Sequence, residues 1–347
     1  GALLLEPSRQ QLFQFSEYFG ASYWTKSGAS VVSGFTSPEG LGNAYKLVED
    51  TSTGQHQIYP TGLNGSDVVR TFSFFVKTDG VTKIGLRNND GKYITYDIAN
   101  KTTLDKTITN NFVQNDFSNG WKRLSITWDS SVVETGARLF LLNDSYTTGN
   151  PLTYSYTGDG SSGVYIFGWQ AEIGSYVSSY IPNHGTSGGV TRAADSCSVT
   201  GASDVLNDSE GVLYFEGNFS DIGSLYSAFT IGNSNNTSLV RFYRANSTTL
   251  NASVYEAGGW IWGYSLTTDT TQNFKVALQW SANVFNAFVN GVKLTGATDQ
   301  NSFTLSQLSK VNMGNESMAF PFHGNVKELV VLNEALTDSE LATLTTL

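Results

Sequence analysis

TFSFFVK, at residues 71–77, alternates so that Phe72, Phe74 and Val76 share one face of an extended chain. The segment RLSITWD, at 123–129, repeats this period of two. Because successive side chains of a strand point to opposite faces of a sheet, the pattern is typical of a half-buried antiparallel strand. Both segments therefore predict strands that cover an apolar core with one face.

The same alternation recurs outward from these segments. Further predicted strands lie at 137–142, 163–167, 211–216, 238–243, 275–280 and 326–332. Asn290-Gly291 stands between two apolar runs, and this dipeptide favours a type I′ hairpin turn. Thr337 and Glu340 form a capping-box pattern that predicts a short helix at 338–344. We expect an all-β fold of two tandem antiparallel β-sandwich (jelly-roll) domains with a short C-terminal helix.

Composition agrees with this fold class. The 347 residues include 13% aromatic and only 14% charged residues, with 35 glycines. A net charge of −10 argues against a nucleic-acid partner, which needs clustered lysine and arginine. The single cysteine, Cys197, excludes an intrachain disulfide, and the absence of a run of 18 apolar residues predicts no membrane insertion.

The Gly-rich, polar stretch at 182–204 is the best candidate for a domain boundary. We expect a first sandwich at 1–184, a linker with the first strand of the next domain at 185–203, and a second sandwich at 204–347.

Three blocks of the first half resemble the jelly rolls of carbohydrate-binding modules. They are LLLEPSRQQLFQFSEYFGASYWTKSGASV (3–31), GWKRLSITW (120–128) and VYIFGWQAEIGSYVSSYIPNHGTSGGVTRAAD (164–195). In the second half, EGVLYFEGNF (210–219), NFKVALQWSANVFNAFVNGVKL (273–294) and FHGNVKELVVLNEALTDSELATL (322–344) look like a concanavalin A-like or laminin-G-like lectin domain. This pairing is similar to tail, fibre and head-appendage proteins of bacteriophages. The resemblance also implies an N-terminal attachment segment ahead of LLLEPSR.

No catalytic residues are predicted. His56, His184 and His323 lie far apart in the sequence, and His184 falls at the linker, which disfavours a histidine-based active site. Nucleotide-binding and esterase motifs are absent from the sequence. Two carboxylates brought together from separate strands remain a way to build a glycosidase site.

Resemblance to jelly-roll modules implies a structural calcium ion that joins the first and last strands. Glu17 in FSEYF and Glu172 in WQAE occupy the matching positions. Calcium takes six to eight oxygen ligands, so two carboxylates would anchor such a site. In the alternative, both glutamates are solvated or paired with Arg9 or with lysines. No other cofactor is expected.

A sugar-binding platform is predicted in GGWIWGYS, where Trp260, Trp262 and Tyr264 follow at i, i+2 and i+4. Exposed aromatic rings stack on pyranose rings, whereas sandwich cores also use such stripes. Three aromatic residues on one face form either a binding platform or a layer of the core, and the core layer is favoured.

The resemblance to phage modules, together with the missing catalytic motifs, implies a non-enzymatic virion appendage protein that attaches to host-surface polysaccharide. Its expected partners are other virion proteins and copies of itself, in a trimer or higher oligomer, because weak sites gain from avidity. We expect it at the virion surface, or otherwise outside the cell. Two alternatives are ancillary carbohydrate-binding domains of a secreted polysaccharide-degrading enzyme and a purely structural virion cement protein.

Overall fold

A computed structural model describes residues 2–61, 69–108, 112–128, 137–220, 227–246, 248–256, 259–281, 284–295 and 304–347, with backbone only at 227, 228 and 260–262. The strands of the first half are β1 (Leu3–Leu5), β2 (Arg9–Gln11), β3 (Trp24–Ser27), β4 (Ala29–Phe35), β5 (Ala44–Glu49), β6 (Thr53–Gly54), β7 (His56–Pro60), β8 (Arg70–Asp79), β9 (Lys83–Asn88), β10 (Tyr93–Asp97), β11 (Thr102–Lys106), β12 (Phe112–Asp116), β13 (Lys122–Trp128), β14 (Ala137–Leu142), β15 (Tyr156–Thr157), β16 (Gly163–Ile173) and β17 (Val190–Arg192). Short 3-10 helices lie at Ser118–Gly120 and Pro151–Thr153.

The second half continues with strands up to a single described helix. They are β18 (Ser198–Thr200), β19 (Gly211–Phe219), β20 (Ser227–Asn233), β21 (Ser238–Asn246), β22 (Thr249–Glu256), β23 (Gly259–Thr267), β24 (Phe274–Ser281), β25 (Val284–Val289), β26 (Val292–Lys293), β27 (Leu308–Asn312), β28 (Gly324–Leu332) and α1 (Asp338–Thr345). In the described part of the chain, no helix is long and apolar enough to cross a membrane.

The chain divides into two compact units, the first sandwich (Arg9–Arg192) and the second sandwich (Gly1–Ser8 with Ala193–Leu347). This division corrects the predicted boundaries of 1–184, 185–203 and 204–347. The first eight residues belong to the second unit because β1 pairs antiparallel with β28. The first unit extends to Arg192 because β17 pairs with β2. Strand pairing over long sequence separations therefore decides both ends of each unit.

Two six-stranded antiparallel sheets form the first sandwich, in the orders β11-β10-β9-β14-β7-β3 and β12-β13-β8-β16-β5-β4. Phe72, Phe74 and Val76 all enter its core, as their alternation predicts. The rings of Trp24 and Trp169 stack in this core at 4.8 Å. Burial of such large aromatic surfaces supplies the main driving force for folding this unit.

The second sandwich has sheets in the orders β1-β28-β19-β24-β25-β26 and β18-β27-β20-β21-β22-β23. Its core contains side chains from both sheets, with the rings of Phe215 and Phe229 4.5 Å apart. Asn290 and Gly291 have φ of 50° and 82°, the positive pair that a type I′ turn requires. The capping box of Thr337 and Glu340 is present at the start of α1. The all-β fold class of tandem sandwiches with a short C-terminal helix is thus confirmed.

Candidate functional site

A row of polar and small residues crosses five adjacent strands of the second sandwich. Thr230 lies opposite Asn312 on one side and opposite Arg241 on the other. The row continues from Arg241 to Ser253 and from Ser253 to Gly263. Residues directly opposite each other project from the same face of a sheet. We call this row, with the neighbouring row described next, the polar face.

The second row of the polar face runs through Tyr243, Asn251 and Ser265, which lie opposite one another in β21, β22 and β23. Ser265 is exposed, and the other two are half-buried. The Ser265 hydroxyl donates to Oδ1 of Asn251 at 2.5 Å. This row carries no charge and presents hydroxyl and amide groups toward solvent.

Alternation in β21 and β22 explains why the polar residues lie outside the core. Val240 and Phe242 of β21 enter the core of the second sandwich. Arg241 and Tyr243, which alternate with them along the strand, therefore point to the other face. In β22, Leu250, Ala252 and Val254 enter the same core. Asn251 and Ser253, which alternate with them, therefore point to the other face. The local pattern therefore determines which side chains form the polar face.

Arg241 contacts Glu316, Ser253 and Tyr243 among the described residues. Its Nη1 group donates to Oε2 of Glu316 at 3.0 Å, and its Nε group donates to the Ser253 hydroxyl at 3.4 Å. Its guanidinium carbon lies 4.8 Å from the centre of the Tyr243 ring. The side chain of Arg241 is 15% exposed and that of Glu316 is 28% exposed. Because of this exposure, both charged groups reach solvent while their geometry is fixed by the protein.

A loop at residues 313–321 covers one end of the polar face and positions Glu316. The Thr230 hydroxyl donates a hydrogen bond to the carbonyl of Gly314 at 2.8 Å. The amide of Asn312 donates to the carbonyl of Asn315 at 3.2 Å, and Nζ of Lys310 donates to the carbonyl of Glu316 at 3.1 Å. Burial lowers the pKa of Lys310, while the charge of Glu316 acts in the opposite direction. The loop is therefore tied to the sheet by side chains from β20 and β27.

Gly263 leaves open space at the other end of the polar face. Among the described residues, a Cβ atom built on Gly263 would meet only the carbonyl oxygen of Ala252, at 3.9 Å. This is an ordinary van der Waals distance, so a Cβ atom would fit here without displacing a described atom. The space lies beside Ser253, the residue directly opposite Gly263. A ligand that reached Gly263 would lie beside Ser253, whose hydroxyl accepts from Nε of Arg241.

The predicted aromatic platform lies in β23, the same strand that supplies Gly263 and Ser265. The backbone register shifts here, because Val254 is opposite Trp262 while Tyr255 is opposite Trp260. The side chains of Trp260 and Trp262 lie outside the described residues, so their role in sugar binding stays a prediction. Tyr264 is half-buried and packs against the core of the second sandwich, as in the core-layer alternative.

The predicted calcium pair occupies the first sandwich. Glu172 is fully buried and accepts from the backbone and hydroxyl of Ser178, at 2.8 and 2.7 Å, and from Nε2 of Gln170 at 2.8 Å. Nε of Arg9 lies 3.5 Å from its Oε2 atom. Calcium needs oxygen ligands, whereas N–H and O–H donors and a guanidinium surround this carboxylate. The donor set therefore does not fit a calcium ion, and Glu172 pairs with Arg9 as in the alternative.

Glu17 has its own partners. It accepts from the hydroxyl of Tyr180 at 2.9 Å and from the amide of Asn43 at 3.3 Å. Burial, first of all, raises the pKa of Tyr180, and the negative charge of Glu17 adds to the effect. Within the described ranges, no group of three or more His, Cys, Asp or Glu residues could hold a metal ion. Glu17 therefore takes part in a hydrogen-bond network with Tyr180.

The histidines differ in their surroundings. His56 is fully buried in the first sandwich, and His323 is 6% exposed in the second sandwich. His184, which the sequence places at the linker, instead forms an isolated β-bridge with Phe15 and so belongs to the first sandwich.

Sequence reasoning missed Arg241 and Glu316. They are 75 residues apart in the chain, and Glu316 lies in a loop with no recognisable motif. The alternation in SLVRFYRAN, residues 238–246, does place Arg241 and Tyr243 on one face. That pattern was the available signal for half of the site.

No protein-family model and no curated protein matches this chain. Among solved structures, it is similar to the Ruminococcus gnavus IT-sialidase CBM40 bound to α2,3-sialyllactose, with 17% identity and a TM-score of 0.36 over 43% of this chain and 92% of that one. The heptameric SAP-like pentraxin from Limulus polyphemus matches with 18% identity and a TM-score of 0.31, over 42% of this chain and 70% of that one. Mouse laminin α1 domains LG4-5 match with 10% identity and a TM-score of 0.29, over 83% of this chain and 90% of that one.

Proposed function

We propose that this protein is a non-enzymatic attachment protein whose second sandwich binds glycans at the polar face. The observation that carries the proposal is the placement of Arg241 between Glu316, Tyr243 and Ser253 on the outer face of a sheet. The side chains of Arg241 and Glu316 are 15% and 28% exposed, so part of each charged group is accessible to a ligand.

The chemistry of the polar face matches that of sugars. Each sugar hydroxyl both donates and accepts hydrogen bonds, and sugar sites fix orientation with a few well-placed polar groups. The Glu316 carboxylate accepts, the Arg241 guanidinium donates, and Asn251 and Ser265 can do both. The open space at Gly263 lies beside these groups. A pyranose could therefore lie on the polar face with hydroxyls directed at both charged groups.

We further propose that the protein is carried on the virion of a bacteriophage and attaches it to polysaccharide on the host surface. This part rests on the resemblance of the six sequence blocks at 3–31, 120–128, 164–195, 210–219, 273–294 and 322–344 to phage appendage proteins. Several copies on one particle would strengthen weak sites through avidity. Its partners would then be other virion proteins and further copies of itself. Quantitative mass spectrometry of purified particles tests this location, and absence of the chain from them would contradict it.

Glycan binding is tested by an array of neutral and acidic oligosaccharides, probed with the wild type and the Arg241→Ala variant. We expect discrete signals for the wild type and loss of those signals in the variant. Glu216→Gln is a matched control, since Glu216 pairs with Lys327 on the opposite sheet of the same sandwich. Trp260→Ala and Trp262→Ala separate the predicted platform from the polar face. Binding that survives Arg241→Ala but is lost in these variants would move the site to the platform, and a blank array would contradict glycan binding.

A further inference from the structure

We infer that the polar face selects neutral, hydroxyl-rich sugars and rejects carboxylated or sulfated ones. This inference rests on the proposed glycan binding and names its ligand class. It comes from the way in which Glu316 is placed against Arg241.

Glu316 occupies the position beside Arg241 where an anionic ligand would need to sit. Its Oε2 atom lies 3.0 Å from Nη1 of Arg241, and its side chain is more exposed than that of the arginine, 28% against 15%. A ligand carboxylate that approached the guanidinium would therefore come close to the Glu316 carboxylate. Like charges at such distances repel, and partial burial weakens screening by salt.

Lys310, a second cation near this site, is only 9% exposed. Its Nζ group donates to Oδ1 of Asn236 and to the backbone carbonyl of Glu316. Two protons of this ammonium group are thereby directed into the 313–321 loop and its surroundings. Lys310 thus holds the loop, and among the described residues the charge that faces a ligand comes from the Arg241–Glu316 pair.

The remaining groups suit neutral hydroxyls. Tyr243, Asn251 and Ser265 form an uncharged row next to Arg241. The exposed carboxylate of Glu316 can accept hydroxyl protons, and such charge-assisted hydrogen bonds are stronger than neutral ones. The net charge of −10 also disfavours the approach of polyanionic polysaccharides. Local pairing and overall charge therefore act in the same direction.

The test uses the full chain on an array in which each neutral hexose oligosaccharide is matched by the same chain ending in a sialic or uronic acid, or carrying a sulfate. We expect wild-type signals on neutral members, with little change in affinity between low and physiological salt, because a neutral ligand has no ion pair to screen. Glu316→Gln should weaken binding to those neutral members at least about tenfold, since it removes charge-assisted hydrogen bonds. The same variant should gain signal on the carboxylated partners, and Glu216→Gln should behave as the wild type.

Each result decides between the inference and its alternatives. Equal or stronger wild-type binding to the acidic members would overturn the selection of neutral sugars while leaving glycan binding intact. Unchanged binding of Glu316→Gln to neutral members would also overturn it, because Glu316 would then not contact the ligand. No signal on any member would contradict the proposed function, and with it the inference.

Discussion

Each sandwich contains an arginine–glutamate pair, and the two pairs differ in what surrounds the carboxylate. In the first sandwich, Nε of Arg9 is 3.5 Å from Oε2 of Glu172, whose side chain is fully buried. In the second sandwich, the corresponding distance from Nη1 of Arg241 to Glu316 is 3.0 Å, and the carboxylate is partly exposed. The arginine side chains are equally exposed, at 15%.

Two properties distinguish a structural arginine–glutamate pair from one that can bind a ligand: the burial of the carboxylate and the number of hydrogen-bond donors around it. Gln170 and Ser178 donate to Glu172 and hold it inside the protein. Arg9 is on β2 and Glu172 on β16, so the pair ties the first strand of this sandwich to its long central strand. Glu316 instead lies in a loop and faces solvent. Residue type alone therefore does not tell which glutamate is available for binding.

The largest expected effect is on the stability of the first sandwich. Glu172→Gln should lower its free energy of unfolding by about 3–5 kcal/mol, because an amide nitrogen would meet the donors that now face a buried carboxylate. Glu316→Gln should change the stability of the second sandwich by less than about 1 kcal/mol, as for an exposed ion pair. Hydrogen exchange of peptides from β16 and β21 measures each sandwich separately. Equal effects of the two substitutions on stability would show that burial does not distinguish the two arginine–glutamate pairs.

A side chain added at Gly263 should block the polar face and leave the fold intact. The Gly263→Leu variant places its Cβ 3.9 Å from the nearest described atom, so we expect a melting temperature close to that of the wild type. A ligand that lies beside Ser253 would lose contacts, and we expect at least about tenfold weaker glycan binding, the equivalent of about 1.4 kcal/mol. Isothermal titration with an oligosaccharide selected on the array measures this. Undiminished affinity would place the ligand elsewhere.

An ion-pair cluster on the surface of the first sandwich should show a smaller effect. Asp116 contacts Lys101 and Lys122, and the hydrogen bond from Lys101, ahead of that from Lys122, lowers its pKa from 3.8 to about 2. Because the folded pKa is depressed, the stabilising contribution is present above pH 3.8 and is lost as the pH falls through about 2. NMR titration of the Asp116 carboxyl group should show this low pKa. Lys101→Ala should raise it toward 3.8, and an unchanged value would refute the assignment to Lys101.

The smallest expected effect is that of calcium on the first sandwich. Arg9 and the donors around Glu172 already satisfy the carboxylate that the jelly-roll resemblance assigns to calcium. We therefore expect chelation to leave the melting temperature unchanged and calorimetry with calcium to show no heat of binding. A calcium-dependent rise in melting temperature that disappears in Glu172→Gln or in Glu17→Gln would restore the calcium site.

Features that depend only on residues close together in the sequence could be predicted from the sequence. Alternation in TFSFFVK identifies β8 and its core face, although the strand extends further, from Arg70 to Asp79. The Asn290-Gly291 turn and the capping box at Thr337 follow from backbone preferences of two to four residues. Two residues of the polar face, Arg241 and Tyr243, follow from alternation in β21.

The fold class, the positions of many strands and the C-terminal helix were thus determined by the sequence alone, because side-chain periodicity and turn preferences act locally. Only the tertiary structure decided that Leu3 pairs with Val326, which moves the N-terminal segment into the second sandwich. It also decided that Glu172 is buried against Arg9, whereas Glu316 reaches Arg241 from a distant loop. Such contacts depend on strand order and loop paths set by packing of the whole chain, and no local pattern encodes them.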